Sequence, residues 1–94
     1  MSIGRVSMLE FVNTTDVDKA EEYYHEIREK AFPTAELVVN IRTGPASLMS
    51  IAIYPSYESA ESNLAARNQY HEKIKANLKD TFYYEGDVSY FFKK

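Results

Sequence analysis

Apolar residues recur along this chain at two spacings, every second position and every third or fourth, and the changes between them predict six elements. Residues 5–12 run Arg-Val-Ser-Met-Leu-Glu-Phe-Val, which suits a pleated strand, and Asn13-Thr14-Thr15-Asp16 ends it. Thr15 followed by Asp18 reads as a weakened capping box. From Asp16 to about Phe32 the residues Val17, Ala20, Tyr24, Ile27 and Ala31 form one apolar stripe of a helix. Pro33 closes it, because proline lacks an N–H and disfavours helical geometry in the residue before it.

Residues 36–43 read as a second strand, with Leu37, Val39 and Ile41 on one side and Glu36, Asn40 and Arg42 on the other. Gly44-Pro45 marks a turn, and residues 48–54 follow as a third strand, making an antiparallel hairpin. A long helix is predicted over residues 57–79, with Ser56 as its N-cap. Residues 82–92 give a final aromatic strand, interrupted by a turn at Gly86-Asp87. The order strand, helix, strand, strand, helix, strand predicts an α+β fold of the ferredoxin-like β-α-β-β-α-β type. Its four-stranded antiparallel sheet would carry two helices on one face, as a single domain over residues 1–94.

Helices can cover only one face of such a sheet. Leu37, Val39, Ile41, Met49, Ile51 and Ile53 form the more apolar set and are expected on the helix side. The other face would still carry Val38, Leu48, Ala52 and Tyr54, with Val6, Met8 and Val12 from the first strand. An exposed apolar sheet is an interaction surface, so a homodimer packed sheet to sheet is expected, with Glu10, Asn40, Arg42 and Ser50 as polar pairs across it. Chain length favours the same answer, since 94 residues bury a modest share of their surface.

Composition narrows the chemistry. Without cysteine there is no thiolate nucleophile or disulfide framework, and two distant histidines, His25 and His71, make a metal site unexpected. A net charge of −3 argues against nucleic acid as a partner. No apolar run approaches the length of a membrane span, and the start Met1-Ser2-Ile3-Gly4-Arg5 shows no leader pattern, so a cytoplasmic location is the default expectation.

The stretch Ile51-Ala52-Ile53-Tyr54-Pro55-Ser56-Tyr57-Glu58-Ser59-Ala60-Glu61 takes a β-branched strand through an aromatic end into a helix of small and acidic residues. With the element order, it resembles the dimeric α+β barrel superfamily of antibiotic biosynthesis monooxygenase-type proteins. The resemblance implies the ferredoxin-like fold and a two-fold dimer. Its heme-degrading branch uses an asparagine on the first strand with a tryptophan and a histidine on the second helix. Asn13 and His71 are the loose counterparts here, and the chain has no tryptophan.

Ala60, Leu64, Arg67, His71, Ile74 and Leu78 lie at helical spacing on the second helix, and two central positions of that stripe are polar. One reading is a pocket between helix and sheet whose polar end, Arg67 and His71, holds an anionic or carbonyl group. In the other, the Arg67 stem lies over apolar residues with its head in water, and a slightly rotated helix buries Asn63 and Tyr70 instead. His25 neighbours the first stripe and reads as a surface residue.

The expected function is a homodimer binding a small amphipathic or apolar molecule, acyl- or polyketide-like, with a carboxylate or carbonyl. Phe11, Asn13, Tyr24, Ile51, Ile53, Tyr54, Arg67 and His71 are its candidate ligand-binding residues. No metal or cofactor is implied. The alternative is a cofactor-independent monooxygenase- or isomerase-type enzyme, with His71 as catalytic proton carrier.

Overall fold

The computed structural model describes residues 2–94; Met1, part of the start read above for a leader, lies outside them. Four strands, β1 (Ile3–Phe11), β2 (Leu37–Gly44), β3 (Ser47–Tyr54) and β4 (Leu78–Asp87), form one antiparallel sheet in the order β2-β3-β1-β4. Helix α1 (Thr14–Ala31) links β1 to β2, and helices α2 (Tyr57–Ser62) and α3 (Leu64–Ile74) link β3 to β4. This is the expected ferredoxin-like α+β architecture.

Local chemistry sets the boundaries. The cap of α1 forms two residues earlier than expected, at Asn13, whose backbone N–H donates to the Asp16 carboxylate at 3.2 Å. Ser56 caps α2 as predicted, its Oγ accepting from the Ser59 N–H at 3.1 Å. The predicted helix over residues 57–79 is instead broken at Asn63 and ends early. Asn63 is buried, and its Nδ2 donates to Thr34 Oγ1 at 2.8 Å, while that hydroxyl donates to the Ser59 carbonyl at 2.9 Å. The break therefore ties the second helical segment to the loop after α1. A short 3₁₀ turn at Lys75–Asn77 then brings Leu78 opposite Phe11, so β4 begins sooner than predicted. Gly86 and Asp87 extend β4 beside Gly4 and Ile3 without forming a turn, and Tyr90, Phe91 and Phe92 lie beyond the strand.

The register reverses the expected faces of β2 and β3, while Val6 and Met8 of β1 lie on the outer face as expected. Toward the helices point Ile3, Arg5, Ser7 and Leu9 of β1, paired with Tyr54, Ala52, Ser50 and Leu48 of β3, and Phe11, paired with Leu78 of β4. The more apolar set faces away. There Val39, Ile51, Val6 and Tyr84 form one row across the strands, and Ile41, Met49, Met8 and Phe82 form the next. Met8, Val39, Ile41, Phe82 and Tyr84 of this outer face are exposed in the single chain. Arg42 and Asn40, expected in that face, belong to the helix side, and Arg42 binds Asp18 and Glu21 of α1. No helix among the described residues is long and apolar enough to cross a membrane.

Candidate functional site

Two apolar clusters make up the core, and they do not merge. One joins Leu9, Phe11 and Leu48 of the sheet to Val17 and Ala20 of α1 and Ile74 of α3. The other joins Ile3 and Tyr54 to Ala60 of α2. Between them runs a polar row, Asn40–Ser50–Ser7–Tyr83, one residue from each strand in sheet order. Polar side chains beneath a helical layer forgo burial energy, and such local conflict is expected where a site is built.

Above this row lies a cavity of about 70 Å³. Asn40, Ser50 and Ser7 form its floor, Leu9 and Leu48 one wall, and Arg5, Ala52 and Tyr54 the opposite wall. Tyr24 of α1, Phe32, and Arg67, Tyr70, His71 and Ile74 of α3 form the roof. An open groove of about 410 Å³ between α3 and β4 shares Arg67 and His71 with it. A second, of about 360 Å³ between α1 and β2, shares Tyr24 and Asn40.

The aromatic roof is fixed by contact among its rings. Tyr70 packs edge-on against Tyr24 with centroids 5.4 Å apart, stacks on Tyr23 at 5.7 Å, and donates its hydroxyl to the Ala20 carbonyl at 3.0 Å. Tyr24 also packs on Phe32 at 5.3 Å. Burial pushes the Tyr24 hydroxyl up to about 12 and raises Tyr70 as well, so both stay protonated near neutral pH.

Two guanidinium groups meet the cavity in opposite states. Arg5 is 5% exposed; its Nε donates to Glu85 at 2.7 Å, and its terminal nitrogens donate to Glu61 at 3.0 Å and the Ala60 carbonyl at 2.8 Å. Its charge is answered within the chain. Arg67 has no carboxylate partner among the described residues and lies over the Tyr83 ring at 3.7 Å. Burial, with Arg5 nearby, disfavours its charge, yet a guanidinium stays protonated in proteins. Burial and the Arg67 charge also lower the His71 pKa, leaving a neutral imidazole beside a lone cation. The arrangement suits an anionic or carbonyl oxygen at Arg67, with His71 able to accept a proton.

Of the residues singled out from sequence, Tyr24, Tyr54, Arg67 and His71 come together around this cavity. Phe11 sits in the core cluster beside it, and Asn13 caps α1 away from it. Ile51 and Ile53 are on the outer face and do not line the cavity. Sequence reasoning missed Arg5, Ser7, Asn40, Ser50 and Tyr70. The signal for the first two was alternation itself: Arg5 and Ser7 share the parity of Leu9 and Phe11.

No family profile matches the chain, and no curated protein matches it in sequence. Solved structures do match in fold. SnoaB, a cofactor-independent oxygenase from Streptomyces nogalater, superposes with a TM-score of 0.77 at 10% identity, over 99% of this chain and 98% of that one. A dimeric ferredoxin-like protein from an uncultured marine organism gives 0.77 at 12% identity, over 99% and 93%. A provisionally assigned antibiotic biosynthesis monooxygenase from Chloroflexus aurantiacus gives 0.77 at 11%, over 99% and 98%. The chain therefore has the ferredoxin-like fold of antibiotic biosynthesis monooxygenase-type proteins, and at such identities the likeness concerns fold alone.

Proposed function

We propose that this chain is a homodimeric binding protein for a small amphipathic molecule, acyl- or polyketide-like, with a carboxylate or carbonyl. Arg67 carries the reading: a half-buried cation without a carboxylate partner, at the rim of a cavity roofed by aromatic rings. A ligand oxygen at Arg67 supplies the missing countercharge, and the apolar body lies under Tyr24, Tyr70 and Phe32. The enclosed space is smaller than the roughly 300–1,000 Å³ of sites for drug-sized ligands. A longer ligand would therefore extend past Arg67 and His71 into the groove beside β4. The exposed apolar outer face favours a second copy as its cover, and one structural neighbour is itself described as dimeric.

Denaturing the purified protein and analysing the extract by mass spectrometry tests this directly. A carboxylate- or carbonyl-bearing molecule released in near-stoichiometric amount is expected. An empty extract, together with ligand binding unchanged by Arg67→Ala, would sink the reading. The neutral His71 favours a second reading, a cofactor-independent monooxygenase or isomerase with His71 as proton carrier. That reading requires turnover that falls sharply in His71→Ala while the fold survives.

A further inference from the structure

Among the described residues, one buried side-chain polar atom has no hydrogen-bond partner: Oδ1 of Asn40. Asn40 lines the cavity from β2, in the same row as Ser50 and Ser7. Its amide nitrogen faces the other way, 3.5 Å from Glu21 Oε2. Glu21 is held in turn by Arg42, whose second nitrogen donates to Asp18 at 2.8 Å.

That contact is long for a hydrogen bond, but it sets the sense of the amide. Turning Asn40 over would place its oxygen against the Glu21 carboxylate, so the nitrogen stays toward α1 and the oxygen stays at the cavity. A buried acceptor without a donor forfeits the hydration it had in the unfolded chain. Such atoms are rare in folded proteins and ask for a missing partner.

We propose that Asn40 is a ligand-recognition residue, held in one amide orientation by Glu21 and Arg42, and that the cavity selects carboxylates bearing a hydroxyl or N–H donor at their far end. This rests on the reading of Arg67 as the anion anchor and adds the chemistry of the opposite end. Three strand spacings, about 14 Å of backbone, separate Asn40 from Tyr83 along the row. The enclosed volume of about 70 Å³ is less than a substituted ring occupies, so a ring with its polar group at Asn40 would carry its carboxylate end into the groove shared at Arg67. A hydroxylated monocyclic carboxylate carries both polar groups. Glu21 acts only through Asn40 and is a positioning residue.

The test is a calorimetric titration of the full chain with benzoate, its 3- and 4-hydroxy derivatives and its 4-methoxy derivative. One hydroxy isomer should bind about tenfold tighter than benzoate, as expected of one buried hydrogen bond, and the methoxy compound should not. In Asn40→Ala the hydroxyl advantage should vanish while benzoate keeps its affinity within about twofold, because Arg67 still holds the carboxylate. In Glu21→Gln the amide is free to turn, so the hydroxyl advantage should shrink severalfold and methoxybenzoate should gain. A merely structural Glu21 would shift all four compounds alike. Should Asn40→Ala not fold, Glu21→Gln carries the test alone.

Equal binding of benzoate and both hydroxy isomers, or a hydroxyl advantage that survives Asn40→Ala, overturns the inference. If benzoate binds through Arg67 in that case, the parent reading stands and only the Asn40 role is lost. If none of the four binds, the Asn40 inference is overturned, and the parent reading is decided separately by the denatured extract and by Arg67→Ala.

Discussion

The guanidinium carbon of Arg67 lies 3.7 Å from the centre of the Tyr83 ring, and Tyr83 is the strand partner of Ser7 in the polar row under the cavity. One contact thus joins α3 to β4 and sets the head of Arg67 at the rim shared by cavity and groove. A cation over an aromatic face at a partly exposed site gains about 0.5–1 kcal/mol. Tyr83→Ala should therefore weaken carboxylate binding about two- to fivefold by releasing Arg67. Tyr83→Phe keeps the ring and should bind as the parent does. Titration calorimetry on the two variants separates the ring from the hydroxyl.

Arg5 is the structural counterpart, fully engaged by Glu85, Glu61 and the Ala60 carbonyl. Arg5→Met should cost about 2–3 kcal/mol in urea unfolding, since it strips hydrogen bonds from three acceptors in one step. It also alters the acid limb of stability. The hydrogen bond from Arg5 holds the Glu85 carboxyl below its ordinary range. The folded state therefore binds that proton less readily than the unfolded state does. This contribution is present above about pH 4.3 and is lost as pH falls through the lower folded value. Arg5→Met should flatten stability over that acid window, and urea midpoints measured from pH 5 to pH 2 would show it.

His71 gives a sharper pH signature. Burial, and then Arg67, hold its pKa below the ordinary 6.5 of histidine. NMR titration should show an apparent value under 6.5 in the free protein, rising part of the way back in Arg67→Ala. A bound carboxylate adds negative charge beside the imidazole and should raise the value. A ligand that leaves the His71 titration unchanged is bound elsewhere.

The element order was legible from the sequence, and several boundaries with it, because they have a clear local cause: the stripe from Val17 to Ala31, the turn after Gly44, the Ser56 cap. Sheet orientation was not legible, because apolarity was the wrong guide to it. Leu37, Val39, Ile41, Met49, Ile51 and Ile53 are more apolar than Val38, Asn40, Leu48, Ser50 and Ala52, yet the latter set lies beneath the helices. A helix-covered face that houses a polar cavity loses apolar residues to the site, while an outer face suited to a partner gains them. The parity of Arg5 and Ser7 with Leu9 and Phe11 held the answer within β1. The break at Asn63 has no glycine or proline to announce it, because its cause is a long-range hydrogen bond to Thr34.

The outer face makes its own prediction. Ile51 is central there, paired with Val6 on one side and Val39 on the other. A charge at that point would face apolar residues of a second copy, and burying an unpaired carboxylate is strongly unfavourable. By size exclusion with light scattering, the parent chain should run at twice its 10.8 kDa mass and Ile51→Asp at that mass with its helix content intact. A parent protein that runs at 10.8 kDa throughout would remove the dimer from the account.

The unpaired charge of Arg67 is the centre of the account, and one titration addresses it. Hexanoate and benzoate, with hexanol and benzyl alcohol as neutral matches, are titrated into the parent protein and into Arg67→Ala and Arg67→Lys. The acids should bind the parent, and Arg67→Ala should lose about ten- to a hundredfold of that affinity, the scale of a charge-assisted hydrogen bond. Arg67→Lys should recover only part, because a point charge neither stacks on Tyr83 nor pairs with two oxygens. Acids that bind the parent and Arg67→Ala equally well would contradict the account.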